Sequence, residues 1–137
     1  MTSYDPFGLP CRFDQISLSD IFLKDESHIS FMFRDYVAGN SIPLVESIKL
    51  VGMLFPISVH PSQPNTGEAY EIIDGRRRFA AHVILEKEGD DRFKKIMCQI
   101  FENRLSSSKQ NQVKLISYAR SQTREDLEIH FGNESEY

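Results

Sequence analysis

The chain contains no tryptophan and only two cysteines, Cys11 and Cys98, among its 137 residues. Two cysteines cannot build a disulfide framework, and the four scattered histidines show no spacing that is typical of a zinc site. No apolar run approaches the ~20 residues that span a bilayer. The first residues lack the basic start and apolar stretch of a signal peptide, so we expect a cytoplasmic protein with no membrane partner.

An excess of positive charge is also missing. Lys and Arg number 16 against 20 Asp and Glu, which gives a net charge of −4. Attraction to nucleic-acid phosphates grows with clustered Lys and Arg, so this balance argues against a broadly basic DNA binder and leaves any DNA contact local. The hydrophobic fraction of 40% is ordinary for a globular protein, and the length allows one domain with a proper core.

Short apolar segments alternate with helical patterns along the chain. Strands are predicted at 12–16, 54–60, 69–73 and 95–101, and helices at 29–37, 42–51, 76–88, 109–120 and 123–131. The helix at 42–51 is expected to follow an N-cap at Asn40 or Ser41. Its predicted buried stripe consists of Leu44, Ile48 and Val51. This alternation predicts a compact α+β domain.

The most informative segment is 70–85, which predicts a strand, a glycine turn and a helix that opens with three arginines. A helix N-terminus carries partial positive charge and unpaired N–H groups, so three cations there oppose the helix dipole. A bound phosphate would accept hydrogen bonds from the backbone N–H groups and from the guanidinium groups together. We therefore predict an anion site at this turn. The predicted residues are Asp74, Gly75, Arg76, Arg77 and Arg78.

Three blocks, taken in order, resemble the ParB/sulfiredoxin superfamily, and specifically the N-terminal domain of ParB-like proteins. The first block joins Leu-Val-Glu-Ser-Ile-Lys at 44–49 to Gly-Met-Leu-Phe-Pro-Ile-Ser-Val at 52–59. The second, at 70–81, is similar to the family's strand and Gly-Glu-Arg-Arg phosphate turn. The third, at 98–103, is similar to a strand that runs into a Glu-Asn pair. Together the blocks cover roughly residues 12–121.

The resemblance implies a small mixed sheet flanked by helices as a domain at 11–104, followed by a helical extension and tail at 105–137. It also implies that the domain binds a nucleoside triphosphate, CTP or ATP, with Mg²⁺. Gly75, Arg77 and Arg78 match the family's phosphate contacts, Gly52, Pro56 and Ile57 match the segment that lines the nucleotide pocket, and Glu102 and Asn103 match the pair that organises the magnesium ion. The role implied is DNA-associated, in partition or transcriptional regulation.

The chain departs from the family pattern at several positions. Arg76 stands where ParB proteins usually have glutamate, Ala80 replaces the third arginine of the motif, and Arg104 follows the Glu-Asn pair too closely to match the family's arginine. The turn has no cysteine, which a sulfiredoxin needs as its nucleophile. The segment at 123–132 resembles the first helix of a helix-turn-helix unit that lacks its recognition helix.

Other interpretations of the same residues stay open at this point. The arginines could form a solvated helix start, paired with Asp74, Glu71 or Glu102. An enzymatic alternative is a magnesium-dependent nuclease or an NTPase or kinase, in which Glu102 holds the metal and Glu46 acts as base. A third alternative is a degenerate scaffold that binds only protein. Beyond nucleotide and DNA, the possible partners are a second copy of the chain or another protein.

Overall fold

A computed structural model of the chain describes residues 3–4, 8–22, 34, 39, 42–53 and 55–117. The chain divides into two compact units, Met1–Arg104 and Leu105–Tyr137. The helix predicted at 29–37 lies outside the described residues except for Arg34, which is helical. The helix predicted at 123–131 and the resemblance to a helix-turn-helix also lie outside them. None of the described helices is long and apolar enough to cross a membrane.

The described part of the first unit is built on one mixed sheet of six strands. The strands are β1 (Ser3–Tyr4), β2 (Pro10–Ser17), β3 (Ile21–Phe22), β4 (Ile57–Pro61), β5 (Tyr70–Asp74) and β6 (Lys95–Phe101), in the spatial order β1-β2-β6-β4-β5-β3. The β4–β6 and β3–β5 pairs are parallel, and the remaining pairs are antiparallel. This arrangement confirms the predicted mixed sheet. Pro56 lies just before β4, where its missing N–H costs the sheet no hydrogen bond.

Next to the sheet, the described residues of this unit form the helices α1 (Pro43–Val51) and α2 (Arg76–Lys87), apart from the single helical residue Arg34. The N-cap prediction for α1 is wrong, because the cap is Ile42 and no side chain caps the helix. The predicted stripe is wrong at Val51, which is 66% exposed, whereas Val45 is fully buried. The buried face is formed by Ile42, Val45 and Ile48, a spacing that fits helical periodicity as well as the predicted stripe does.

Two clusters of buried apolar side chains hold α2 in place from its first turn onwards. Phe79 packs with the apolar side chains of the sheet in one cluster, together with Ile57, Val59, Ile72, Ile96, Cys98 and Ile100. The next residues of α2 pack against α1 in a second cluster, which contains Ala80, Ala81, Ile84, Leu85, Val45, Ile48 and Phe93. Because α2 is buried against both the sheet and α1, its N-terminal turn is held by burial on two sides.

The second unit contains a helix, α3, described at 107–117. Ser106 caps it, since its side-chain oxygen accepts a hydrogen bond from the N–H of Lys109 at 3.3 Å. The helix therefore begins two residues before the predicted start. Leu105 and Val113 are buried, and Ile116 is half-buried.

Candidate anion-binding turn

The turn between β5 and α2 depends on Gly75. This residue is the N-cap of α2 and has φ 104° and ψ 27°, a left-handed conformation that favours glycine. A Cβ at this position would lie 2.7 Å from Cβ of Ile57 and closer still to its Cγ2. Glycine is thus required both for the backbone conformation and for the close packing on Ile57. Because the N-cap is a glycine, the cap residue itself offers no side-chain acceptor to the N–H groups of the first turn, the groups to which an anion would bind.

Arg78 lies inside this turn and is bonded to the protein itself. Its Nη1 donates to the carbonyl oxygens of Phe55 at 2.7 Å and Pro56 at 3.0 Å. Its Nη2 donates to Oδ2 of Asp74 at 3.0 Å. Only 19% of the Arg78 side chain and 25% of the Asp74 side chain are exposed. The guanidinium group therefore connects the segment before β4 to the end of β5.

Arg76 and Arg77 differ from Arg78 in their surroundings. Arg76 is half-buried and Arg77 is exposed. Within the described part of the chain, neither side chain forms an ion pair or a hydrogen bond. The alternative interpretation, in which nearby carboxylates neutralise the arginines, thus holds for Arg78, which pairs with Asp74. It does not hold for Arg76 and Arg77 within the described residues.

The segment between α1 and β4 reaches the turn in part. Ile57 is fully buried beneath Gly75, and the carbonyl oxygen of Pro56 accepts from Arg78. Gly52 ends α1 with φ 80°, and its N–H donates to the carbonyl oxygen of Ile48. A Cβ at Gly52 would meet no atom of the described residues within 4 Å. The structure therefore brings Pro56 and Ile57 to the turn, whereas none of the described side chains packs on Gly52.

The sheet register separates Glu102 and Asn103 from this turn. Ser58 on β4 is paired with Asp74, at the end of β5 that leads into Gly75, and Pro61 is paired with Tyr70 at the other end. Because β6 runs parallel to β4, its carboxyl end lies beside Pro61. The contact of Arg104 with Glu71 agrees with this placement. Glu71 precedes Asp74 by three residues on β5, and at about 3.3 Å per residue this separation is about 10 Å along the sheet.

The two residues of the Glu-Asn pair are both exposed at this distant end. Among the described residues, no group of three or more His, Cys, Asp or Glu side chains is arranged to hold a metal ion. The magnesium role expected of Glu102 and Asn103 stays a prediction, since a Glu-Asn pair is smaller than such a group.

A polar cluster centred on a buried histidine occupies this same distant end, and no sequence pattern predicted it. Nε2 of the fully buried His60 lies 3.1 Å from Oε2 of Glu71. Nη1 of Arg104 donates to the same oxygen at 2.7 Å and to the carbonyl oxygen of Pro61 at 3.2 Å. The partners are 11 and 33 residues from Glu71 in the chain, so only the strand pairing brings them together.

Burial and charge shift the pKa values of this cluster. Burial lowers the pKa of His60 and outweighs the hydrogen bond to Glu71. Burial alone would raise the pKa of Glu71, but the hydrogen bonds from Arg104 and His60 together hold it below its ordinary value. His60 is therefore neutral near pH 7, and its Nε2–H donates to the Glu71 carboxylate.

Neither cysteine offers sulfiredoxin-like chemistry at the turn. Burial raises the pKa of the Cys98 thiol to about 12, so it stays protonated near pH 7. Cys11 is buried on β2 and accepts a hydrogen bond from Nε2 of Gln99 at 3.4 Å. Neither thiol lies in the turn that begins at Gly75.

Comparison with known proteins agrees with this architecture. The family model of the ParB N-terminal domain matches residues 40–117. The C-terminally truncated chromosome-partitioning protein ParB from Caulobacter crescentus, solved with CTP-gamma-S, is similar with a TM-score of 0.52 at 20% identity. The alignment covers 90% of this chain, which spans 65% of that chain. At this identity the likeness shows the fold alone.

Two further structures have lower TM-scores. Sulfiredoxin from Arabidopsis thaliana has a TM-score of 0.42 at 20% identity, covering 67% of this chain and 86% of the other. A Pnob8-like ParB-N domain has a TM-score of 0.42 at 20% identity, covering 74% and 32%. No curated protein matches at a significant level. Because the family model matches more than half of the residues and the predicted ParB/sulfiredoxin-like fold is confirmed, the chain belongs to the ParB N-terminal domain family.

Proposed function

We propose that this protein is a ParB-like nucleotide-binding module in which the Gly75 turn holds the phosphate groups of CTP or ATP. The observation that carries the proposal is the placement of Arg76 and Arg77 at the positive end of α2, with no side-chain partner among the described residues. Cations at a helix N-terminus are unfavourable unless an anion lies between them. Family membership supports the proposal, as does the nucleotide analogue bound to the Caulobacter ParB.

In this proposal the first-turn N–H groups and the guanidinium groups of Arg76 and Arg77 bind phosphate oxygens. Gly52, Pro56 and Ile57 belong to the segment that lines the pocket. The nucleotide module comprises residues 11–104, and the extension at 105–137 serves a DNA-associated role in partition or transcriptional regulation. Glu102 and Asn103 keep their predicted role toward Mg²⁺, and the titrations with and without Mg²⁺ test it.

No particular observation favours the enzymatic alternative. Glu46 is an exposed residue in the first turn of α1, where a carboxylate stabilises the helix dipole. The carboxylate expected to hold the metal, Glu102, is exposed at the distant end of β6. The two residues that the alternative requires thus have ordinary structural surroundings.

Calorimetric titration with CTP and with ATP, each with and without Mg²⁺, tests the nucleotide proposal. We expect the wild-type protein to bind at least one nucleotide and Arg77→Gln to bind it about tenfold or more weakly, since a hydrogen bond to a charged group contributes about 1.5–3 kcal/mol. Arg92→Gln is the matched control, because it removes an equal charge from an exposed residue beyond the end of α2. A wild-type protein that binds neither nucleotide contradicts the proposal.

The DNA-associated role has its own measurement. Fluorescence anisotropy of labelled duplex DNA, with and without the nucleotide that binds, should show a nucleotide-dependent change in affinity. With a net charge of −4, the contact must involve few phosphates, so the affinity should fall only shallowly as salt rises. If nucleotide leaves DNA binding unchanged, the module has no such role.

A further inference from the structure

We propose that Arg78 is a positioning residue that holds the anion-binding turn in shape, and that Arg76 and Arg77 alone supply guanidinium groups to the ligand. This inference rests on the proposed function, because it assigns different roles to the three arginines of the same site. It also assigns Asp74 a part in the support of the turn rather than contact with the nucleotide.

The first argument is the hydrogen bonding of Arg78. Three of its N–H donors already bond two carbonyl oxygens and one carboxylate, at 2.7, 3.0 and 3.0 Å. Its charge is compensated by Asp74, and the side chain is only 19% exposed. If the guanidinium group turned towards a phosphate, it would leave three acceptors, and two of them are main-chain carbonyls that would lose their partner.

The second argument is what these bonds hold together. The acceptors lie at neighbouring ends of two adjacent strands, since Phe55 and Pro56 immediately precede β4 and Asp74 ends β5. The register of this pair shifts between Ser58 and Val59, so the regular ladder is interrupted close to the turn. The planar guanidinium fork of Arg78 joins the two strand ends beside that interruption.

The third argument is the position of Gly75 between its neighbours. A Cβ at Gly75 would lie 3.2 Å from Nη2 of Arg78, and Ile57 is in even closer contact. The main chain of Arg78 is also fixed, because its carbonyl oxygen lies 3.1 Å from Nδ1 of the buried His82. Arg78 thus packs against the residue whose left-handed conformation starts the helix.

The substitution Asp74→Asn distinguishes a positioning role of Arg78 from direct binding, because the two roles predict opposite changes in nucleotide affinity. If Arg78 bound the phosphate, Asp74 would compete with the ligand and repel it, so Asp74→Asn would raise the affinity. If Arg78 holds the turn through Asp74, the same substitution weakens the support, and we expect the affinity to fall severalfold. Arg78→Lys should lower the affinity as well, because a compact ammonium group keeps the charge but lacks the planar fork that reaches Asp74 and the two carbonyl oxygens before β4 at once.

The experiment is calorimetric titration of the full chain with CTP and ATP, comparing wild type, Asp74→Asn, Arg78→Lys and Arg77→Lys. Arg77→Lys is the matched control, since it makes the same exchange at an exposed neighbour and should lose less affinity than Arg78→Lys. Thermal unfolding of each variant shows whether it is folded at the titration temperature. If a variant does not fold, guanidinium ¹⁵N resonances of the wild type give the answer, because ligand should shift Arg77 more than Arg78.

The outcomes distinguish the two proposals. Binding that strengthens in Asp74→Asn, or a ligand shift that is larger at Arg78 than at Arg77, overturns the positioning role and leaves the proposed function intact. Binding that weakens in both Asp74→Asn and Arg78→Lys supports it. A wild-type protein that binds neither nucleotide overturns the proposed function and this inference with it.

Discussion

At the scale of single residues, Gly75 shows how one position satisfies two separate constraints. Its left-handed φ of 104° would strain any other residue, and the space where a side chain would begin is already filled by Ile57. Gly67 has a similar φ of 87°, but no atom in the described part of the chain lies within 4 Å of where its Cβ would be. Substitutions at these two glycines therefore distinguish the free-energy cost of the left-handed conformation, which both share, from the cost of the steric contact with Ile57, which only Gly75 has.

Gly75→Ala should destabilise the protein by about 2–5 kcal/mol, combining about 1–2 kcal/mol for the left-handed conformation with about 1–3 kcal/mol for overpacking. Gly67→Ala should cost only the first of these terms, about 1–2 kcal/mol. Urea unfolding of both variants and the wild type measures the difference. Equal losses in the two variants would show that Ile57 moves aside freely.

The pair formed by His60 and Glu71 predicts how stability depends on pH. The pKa of His60 is lowered from 6.5, so the unfolded chain binds more protons there, and stability is lost as the pH falls below 6.5. The pKa of Glu71 is lowered from 4.5, so its contribution is complete above pH 4.5 and is lost as the pH falls through the folded value. Arg104 donates a hydrogen bond to Glu71, and its charge also lowers the pKa of His60.

Urea unfolding as a function of pH should therefore show two windows of declining stability. In Glu71→Gln the loss below pH 4.5 should become smaller, because the carboxylate that binds the extra proton in the unfolded state is absent. Each group contributes a slope of at most about 1.4 kcal/mol per pH unit. A wild type and variant that differ by a constant amount from pH 7 to pH 3 would contradict the assignment to Glu71.

At the scale of secondary-structure elements, local patterns were sufficient for some features and insufficient for others. The strand, turn and helix around Gly75 follow from neighbouring residues, so the sequence predicted them. Three adjacent arginines look alike in the sequence, and only the folded position of Phe55 and Pro56 distinguishes Arg78. The location of Glu102 depends on the order and direction of distant strands, which no local pattern encodes.

The buried face of α1 also could not be predicted from local sequence alone. Helical periodicity allows either of two neighbouring faces to be buried, and the packing against α2 selects one of them. Val45→Ala should destabilise the protein by about 2 kcal/mol, since it removes fully buried methyl groups and leaves a cavity. Val51→Ala, the same exchange at a 66% exposed position, should change the stability by less than about 0.5 kcal/mol. Urea unfolding tests both variants. A larger loss at Val51 would restore the stripe predicted from the sequence.

At the scale of the whole molecule, the core and the proposed site meet at the first turn of α2. Phe79 anchors that turn in the sheet cluster, and the following residues anchor it against α1. A ligand bound at Gly75 would therefore contact a part of the chain whose order depends on both clusters. Ligand binding and global folding should be thermodynamically linked in this protein.

A nucleotide that binds only the folded state should raise the free energy of unfolding by about 2.7 kcal/mol when its free concentration is 100 times its Kd. Thermal unfolding over a range of CTP or ATP concentrations measures this, with Kd taken from calorimetry. Arg77→Gln should require a higher nucleotide concentration for the same shift, in proportion to its weaker Kd, while Arg92→Gln should follow the wild type. Because the turn is anchored on two sides, the stabilisation should appear in the single cooperative transition of the first unit. Binding in calorimetry without any rise in unfolding temperature would mean that the nucleotide also binds the unfolded chain, and the Gly75 turn would then not be its site.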